Sequence, residues 1–594
     1  MADSQQKPHV LMFPYPLQGH VIPSVHLATK LASNGFTITF VNTELIHRQI
    51  SKAATGGDDI FSEARKSGLD IRYKTITDGF PLGFDRSLHH DQFFEGILHV
   101  FPAHVDEFVG NLVRSDPTIN CFIADTFFVW TSMIANKYNL VNISFFTEPA
   151  LVFTLYYHMD ILRQNGHFAT PDNRRDAIDY IPGVKSIMPS DLMSYLHATD
   201  NISTPIHRII YKSFDDVKKG DFIIINTVQE LEEDTISGIQ QKQPIYSIGP
   251  IFPPGFTKSN ISTSLWAESD CTHFLDTKPH GSVLYVSFGS YAHTSKHEIS
   301  EIANGLLLSG VNFIWVLRPD IVSSDESDFL PVGFEESVKG RGRIVSWCCQ
   351  IAVISHPAIG GFLTHCGWNS ILESIWCSVP LLCYPLLTDQ FTNRKLVVDD
   401  LKVGINLCDD KKSVNREEVS ENINRLMKGK ASEEIREQVK KLKKVLEDGM
   451  GKNGSSARNF MQLIEDLKAK IAKKKGFGIR ENGVAKNRPK AKGLCSGATI
   501  ISEYCKGNKS AVEYPLGLKL IGLHIEDVSF ATDQTERHLE VGNTGYGNYD
   551  SSTKKRLSMS LGIFLRIYYK EGMFSEQSAS LPRTSVLTEG QLVG

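Results

Sequence analysis

No run in this 594-residue chain reaches the roughly 18 consecutive apolar residues that a membrane-spanning helix needs. The opening MADSQQKPHVLMFPYPLQGH lacks a basic n-region, and its apolar stretch is short and broken by prolines, so no signal peptide is expected. An excess of one charge is also missing. With 63 Lys+Arg against 67 Asp+Glu the formal charge is -4, which gives no electrostatic case for a nucleic-acid or anionic-membrane partner. The ten cysteines (121, 271, 348, 349, 366, 377, 383, 408, 495 and 505) are scattered, with neither the density of a disulfide scaffold nor a pair of CxxC motifs. Reduced thiols in a cytoplasmic protein are therefore expected, and sequons such as Asn142-Ile-Ser144 carry little weight. What remains is ordinary for a soluble globular protein, 41% apolar and 22% charged, in a chain too long for a single core.

Hydrophobic patterning divides the chain. Residues 9–14 (HVLMFP) read as a short buried strand, followed by the turn YPLQGHVIP, a helix over Ser24 to Asn34 and a second strand, FTITFVN, at 36–42. This is the opening β-α-β of a doubly wound parallel sheet, and apolar strands recur at Cys121–Ala124, Asn142–Phe146 and Asp221–Asn226. An N-terminal Rossmann-like domain thus spans 8–245. Residues 246–265, rich in Pro, Gly, Ser and Asn, read as a linker. A second α/β domain follows over 266–450, with strands at 282–290, 312–318, near 343–346, at 360–364 and at 380–385, and Lys/Glu-rich helices over 415–447. A C-terminal helix at 451–470 is expected to pack back on the N-terminal domain. From 471 to 594 the pattern fails: 18 Lys+Arg against 12 Asp+Glu leave this tail at +6, it lacks organised periodicity, and it reads as disordered or aberrant.

The densest stretch is GGFLTHCGWNSILESIWCSVPLLCYPLLTDQ, Gly360 to Gln390, where polar residues crowd the joint between a strand and a helix. Helix N-termini expose unpaired N–H groups and a partial positive charge that favour phosphate. Gly367 would let the backbone turn and a ligand approach, Asn369 or Ser370 could start the helix, and Ser370-x-x-Glu373 fits a capping box. His365 ends the strand, and Ser290 follows another strand end. Local physics leaves two readings open, a diphosphate cradle or a capped helix beside a structural histidine.

The 44 residues from Trp347 to Gln390 resemble, without a gap, the nucleotide-sugar signature of plant family 1 UDP-glycosyltransferases. The resemblance extends over roughly 8–470 and includes PLQGH, SFFTEPA at 144–150 and YVSFGS at 285–290. It implies a GT-B fold, two Rossmann-like domains facing across a cleft, and a UDP-sugar as co-substrate. It further implies Trp347 stacked on uracil with Gln350 beside it, Glu373 on the ribose, and His365, Asn369, Ser370 and Ser290 on the diphosphate. Trp368, Asp389, Gln390 and Thr147 would meet the sugar, the final Gln resembling glucose-preferring members. Two departures stand out: Cys349 where the family has Pro or Ser, and Ser378 where it has Gly.

His20 lies in the turn after the first strand and Asp125 ends the strand CFIAD, which puts both on the C-terminal edge of one parallel sheet. Asp125 could alternatively cap a helix before TFFVW. The resemblance implies that His20 is the catalytic base and Asp125 its partner, taking the proton of an acceptor hydroxyl and inverting the sugar's configuration. No Asp/Glu/His cluster of metal-ligand spacing accompanies the pair, so no metal is expected. Phe94, Trp130, Phe146 and Tyr156 are candidates for the lining of an acceptor pocket. The expected function is transfer of glucose from UDP-glucose to a hydroxyl of a small lipophilic plant metabolite, by a monomer. Another UDP-sugar donor, or a nucleotide-sugar binder without turnover, are the alternatives.

Overall fold

Thirteen strands are short, β-branched and aromatic, and nearly all are buried on both faces, as strands of covered parallel sheets must be. In the computed structural model they form two all-parallel sheets. The first comprises β1 (His9–Phe13), β2 (Thr37–Thr43), β3 (Ile71–Ile76), β4 (Ile119–Asp125), β5 (Val141–Phe146), β6 (Phe222–Ile225) and β7 (Ile245–Ser247), in the order β3-β2-β1-β4-β5-β6-β7. The second comprises β8 (Val283–Ser287), β9 (Asn312–Val316), β10 (Gly342–Val345), β11 (Ile359–Thr364), β12 (Leu381–Cys383) and β13 (Gly404–Asn406), in the order β10-β9-β8-β11-β12-β13. The two orders are the same winding used twice. In each, chain direction across the sheet reverses once, between β1 and β4 and between β8 and β11, and a crevice opens there at the strands' C-terminal ends.

The structure describes residues 7–53, 59–199, 203–258, 264, 266–322, 329–408, 413–484, 512–513 and 519–520. By contact the chain divides into Met1–Gly522, which holds both sheets, and Leu523–Gly594, which lies outside the described residues. Among the described residues no helix is long and apolar enough to cross a membrane.

Three strands escaped the sequence reading, each for a physical reason. Edge strand β3 (IRYKTI) alternates buried and exposed positions and carries Arg and Lys, while β7 and β13 are only three residues long. The first helix differs too. It runs Gln18–Ser33, so His20 sits in its first turn rather than in a preceding loop, and Pro23 lies inside it. The expected linker begins within β7, and residues 259–263 and 265 of it lie outside the described residues.

The last helix, Ser455–Val484, returns to the first sheet. Phe460, Leu463, Ile464, Leu467 and Ile471 form one helical stripe buried in the same core as β1 and β2. Each such side chain contributes about 1.5–3 kcal/mol when fully buried. Residues 471–484, read as irregular tail, instead continue this helix. Ile471 extends the stripe, and Lys470 and Lys474 both pair with Asp221 at 2.7 and 3.3 Å. Beyond Val484 only two two-residue strands are described, Val512–Glu513 and Lys519–Leu520, paired antiparallel.

Candidate active site

The two crevices meet in one cavity of about 320 Å³. From the first lobe it is lined by His20, Thr147 and Glu148, with Tyr15, Phe94, Phe127, Tyr156 and Tyr195 as walls. From the second come Ser290, Trp347, Gln350, His365, Trp368, Asn369, Ser370, Glu373, Asp389 and Gln390. Every binding residue singled out in the sequence therefore lies on this one surface, and each follows the C-terminal end of a strand.

His20 is held from below. Its Nδ1 lies 2.7 Å from Asp125 Oδ2 and 3.1 Å from Thr147 Oγ1. A carboxylate only accepts, so Nδ1 carries the hydrogen and the lone pair falls on Nε2. Burial pulls the imidazole's pKa down, but the charge and hydrogen bond of Asp125, aided by Asp389 from the opposite lobe, outweigh it and leave the value above 6.5. Asp125 does not cap a helix: its Oδ1 accepts from the Phe127 N–H at 3.0 Å in a local turn, which aims Oδ2 at the histidine.

The second lobe's helix starts at Trp368 behind Gly367, with no side-chain cap. Ser370 is thus the third helical residue, and the expected Ser370/Glu373 capping box is not formed. Gln350 Nε2 instead donates to Ser370 Oγ (3.0 Å) and to Glu373 Oε2 (2.8 Å). The N–H groups of Trp368, Asn369 and Ser370 have no carbonyl behind them within the helix, and the three residues line the cavity, which suits them as donors for an anion. Burial raises the Glu373 pKa to about 7. Gly367 has φ -63, an ordinary value, so its role is space rather than turning. A Cβ there, or on Gly289 (φ +72), would fall 2.6 or 2.5 Å from His365 Nε2, so the imidazole fits between two glycines.

That burial, with Arg318 nearby, lowers the His365 pKa to about 4. His365 is therefore neutral near pH 7. It can offer an anion a hydrogen bond but no charge. Arg318, which the sequence reading missed, is a buried cation that donates to the carbonyls of Gly289 and Ala292 and shapes the loop carrying Ser290.

Other expected contacts are modified. The Trp368 indole N–H donates across the cleft to the Asn226 carbonyl at 2.7 Å, so of its two N–H groups only the backbone one is left for a ligand. Asn369 Nδ2 donates to the Gly19 carbonyl at 2.7 Å. That carbonyl is free because Pro23, four residues on, has no N–H to give it. Gln390 Oε1 accepts from the Leu386 and Leu387 N–H groups, both at 2.9 Å, fixing its amide nitrogen as the end available to donate. Asp389 accepts from Thr388 Oγ1 and Asn393 Nδ2, each at 2.6 Å, and burial raises its pKa. Trp347 lies 6.3 Å from Trp266 with rings 29° apart, leaving its remaining surface to the cavity. Of the four aromatics named for an acceptor pocket, Phe94 and Tyr156 line it. Trp130 and Phe146 are each only 1% exposed and pack in the core.

The two departures from the family pattern have different consequences. Ser378 takes φ 59, and its N–H and that of Val379 donate to Ile375 and Ser374, so it closes the helix as glycine would, at a cost of about 1 kcal/mol. Cys349 precedes the Gln350–Ile354 helix in extended backbone and makes no side-chain cap.

The family described as UDP-glucoronosyl and UDP-glucosyl transferase matches residues 267–448. The chain is 62% identical over 475 residues to UDP-glycosyltransferase 86A1 of Arabidopsis thaliana, covering 79% of this chain and 96% of that protein. It is 57% identical over 470 residues to UDP-glycosyltransferase 86A2 of the same plant, with the same two coverages. Among solved structures, Phytolacca americana UGT2 complexed with UDP-2-fluoro-glucose and pterostilbene aligns with a TM-score of 0.63 at 26% identity, over 78% of this chain and 99% of that one.

Proposed function

Since this chain belongs to the plant UDP-glycosyltransferase family and is a glycosyltransferase of GT-B fold, we propose that it moves glucose from UDP-glucose to a hydroxyl of a small lipophilic acceptor, with inversion. What supports the reading is one observation: the switch points of both sheets open into the same cavity, an imidazole with a free Nε2 on one side and a helix N-terminus on the other. The solved relative that holds a fluorinated UDP-glucose and a stilbene supports this choice of donor and acceptor class.

In the proposed reaction the acceptor hydroxyl gives its proton to His20 Nε2 as its oxygen forms a bond to the anomeric carbon. The bond from that carbon to the diphosphate breaks, and UDP leaves with the electron pair. General-base help of this kind is typically worth about 10² to 10⁴ in rate. The departing charge is met by the first N–H groups of the Trp368–Trp376 helix, a neutral hydrogen bond from His365 and the Ser290 hydroxyl. Asp389 and the Gln390 amide are assigned to the sugar, Thr147 to the space between sugar and His20, and Trp347, Gln350 and Glu373 to the nucleoside. No metal is assigned a part in this scheme. A monomer working in the cytoplasm completes the proposal.

Release of UDP from UDP-glucose, followed with a panel of hydroxylated aromatic and alicyclic acceptors, tests the transfer directly. Donor competition against other UDP-sugars tests the choice of glucose. Trp347→Ala is expected to raise the donor KM by about 10-fold or more, with a smaller change in kcat, because stacking acts alike on ground and transition states. An unchanged KM would remove Trp347 from the nucleoside site.

A further inference from the structure

Two side chains on the first lobe's side of the cavity, Gln18 and Glu148, have a buried oxygen without a hydrogen-bond partner among the described residues, and only Glu148 can also carry a charge. Glu148 follows Thr147 directly, the residue that touches His20. Its carboxyl lines the cavity, and Oε2 is buried without a hydrogen-bond partner among the described residues. A helix begins two residues later, at Ala150, and its first N–H groups are open to a nearby carboxylate. That place is already taken. Glu232, arriving from beyond β6, accepts from the Ala150 and Leu151 N–H groups at 3.0 and 2.8 Å. Glu148 is therefore spare to the fold.

The charge around it is one-sided. Glu148, Glu268, Glu373 and Asp389 all line the cavity, and among its described lining residues there is no Lys or Arg. Burial, reinforced by Asp389 and Asp125, holds the Glu148 carboxyl well above the usual carboxylate range, which favours the protonated form, one that both donates and accepts. Tyr156 and Tyr195 stand beside it on the same wall.

We propose that Glu148 selects the acceptor: its carboxyl holds an uncharged acceptor through a hydroxyl or carbonyl oxygen remote from the reacting hydroxyl, and it turns away acceptors that carry a carboxylate there. This rests on the transfer reading above and adds the acceptor's charge class to it. A site with a buried, unpaired hydrogen-bonding group discriminates strongly against a ligand that leaves it unpaired. On this side of the cavity a ligand carboxylate would have to share the Glu148 proton, next to Asp389 and with no Lys or Arg among the described lining residues to offset the added charge.

The test uses 2-naphthols bearing hydroxymethyl, methyl or carboxylate at carbon 6, with the full chain saturated with UDP. Binding is read by calorimetry, and turnover separately by UDP release from UDP-glucose. The wild-type chain is expected to favour hydroxymethyl over methyl by about 10-fold and over carboxylate by about 100-fold. Glu148→Leu should erase the first ratio. Glu148→Gln should keep the first and shrink the second to about 10-fold, because an amide can donate to a carboxylate without holding a proton. UDP affinity, measured in both variants, reports that they fold, and the Gln variant covers the case in which Leu does not. Unchanged ratios in the variants, or a wild-type chain that binds all three alike or none, would overturn the proposal. Expected binding ratios without any UDP release would sink the transfer reading and leave the selection by Glu148 standing.

Discussion

His20→Ala is expected to lower transfer by about 10² to 10⁴-fold, to the edge of detection, while UDP still binds. The imidazole stands on the lobe opposite the nucleotide residues, so its removal takes away the proton acceptor without touching Trp347, Gln350 or Glu373. It also takes a partner from Thr147 and from the buried Asp125, which keeps the Phe127 N–H. The measurement is single-turnover transfer at saturating UDP-glucose beside calorimetric UDP binding. Near-normal turnover in this variant would take the proton transfer away from His20, whereas a loss of UDP affinity equal to the loss of rate would mean the residue shapes the donor site.

Asp125→Asn should be nearly as damaging, by a different route. Asp125 touches no substrate in the proposed reaction and acts through His20, as a positioning residue. The carboxylate does two opposed things. It fixes the hydrogen on Nδ1, leaving Nε2 free to accept, and it raises the imidazole pKa, which makes less of the neutral form available at pH 7. At an unperturbed pKa of about 6.5 roughly three-quarters of the rings would be neutral at that pH, and the upward shift lowers that fraction. An asparagine amide can donate to Nδ1, move the hydrogen to Nε2 and leave no lone pair where the hydroxyl arrives. The rate is expected to fall by about 10²-fold or more.

The pH profile separates this role from a structural one. A protonated imidazole cannot accept, so the rate climbs with pH through the His20 pKa. In the wild-type chain that limb should lie above 6.5, and in Asp125→Asn it should move to lower pH even as the plateau drops. A lower plateau with an unmoved limb would mean that Asp125 only supports the fold.

Much of this was legible because the informative signals are local. Alternating strand and helix patterns around His9–Phe13 and Val283–Ser287 reveal parallel sheets, and the dense block after Gly360 marks a strand-to-helix joint in any context. What stayed hidden depends on contacts distant in sequence. The helix starts at Gln18 despite Pro23, because the carbonyl that proline orphans finds a donor 350 residues away, in Asn369. Ser370 and Glu373 have the spacing of a capping box, yet the helix begins two residues before Ser370 and both side chains turn to Gln350. That His365 is neutral follows only from its surroundings, two glycines and Arg318, which lie far from it in sequence or cannot be weighed from the sequence. Glu148 lies within SFFTEPA, where nothing in the sequence separates a spare carboxyl from one that serves the following helix. Only the discovery that Glu232 already serves the adjacent helix shows it to be free. Trp130 and Phe146 illustrate the converse, since aromatic composition cannot tell a cavity wall from a core.

The decisive quantity is the geometry of attack, because the nucleotide is assigned to one lobe and the proton acceptor to the other. The anomeric configuration of the glucoside formed from UDP-α-glucose, read by proton NMR before any isomerisation, reports it directly. A β-glucoside is expected from a hydroxyl activated at His20 on the face away from the diphosphate. An α-glucoside would mean that the acceptor arrives on the nucleotide's own side, and the opposition of His20 to the Trp368–Trp376 helix would then have no part in the chemistry.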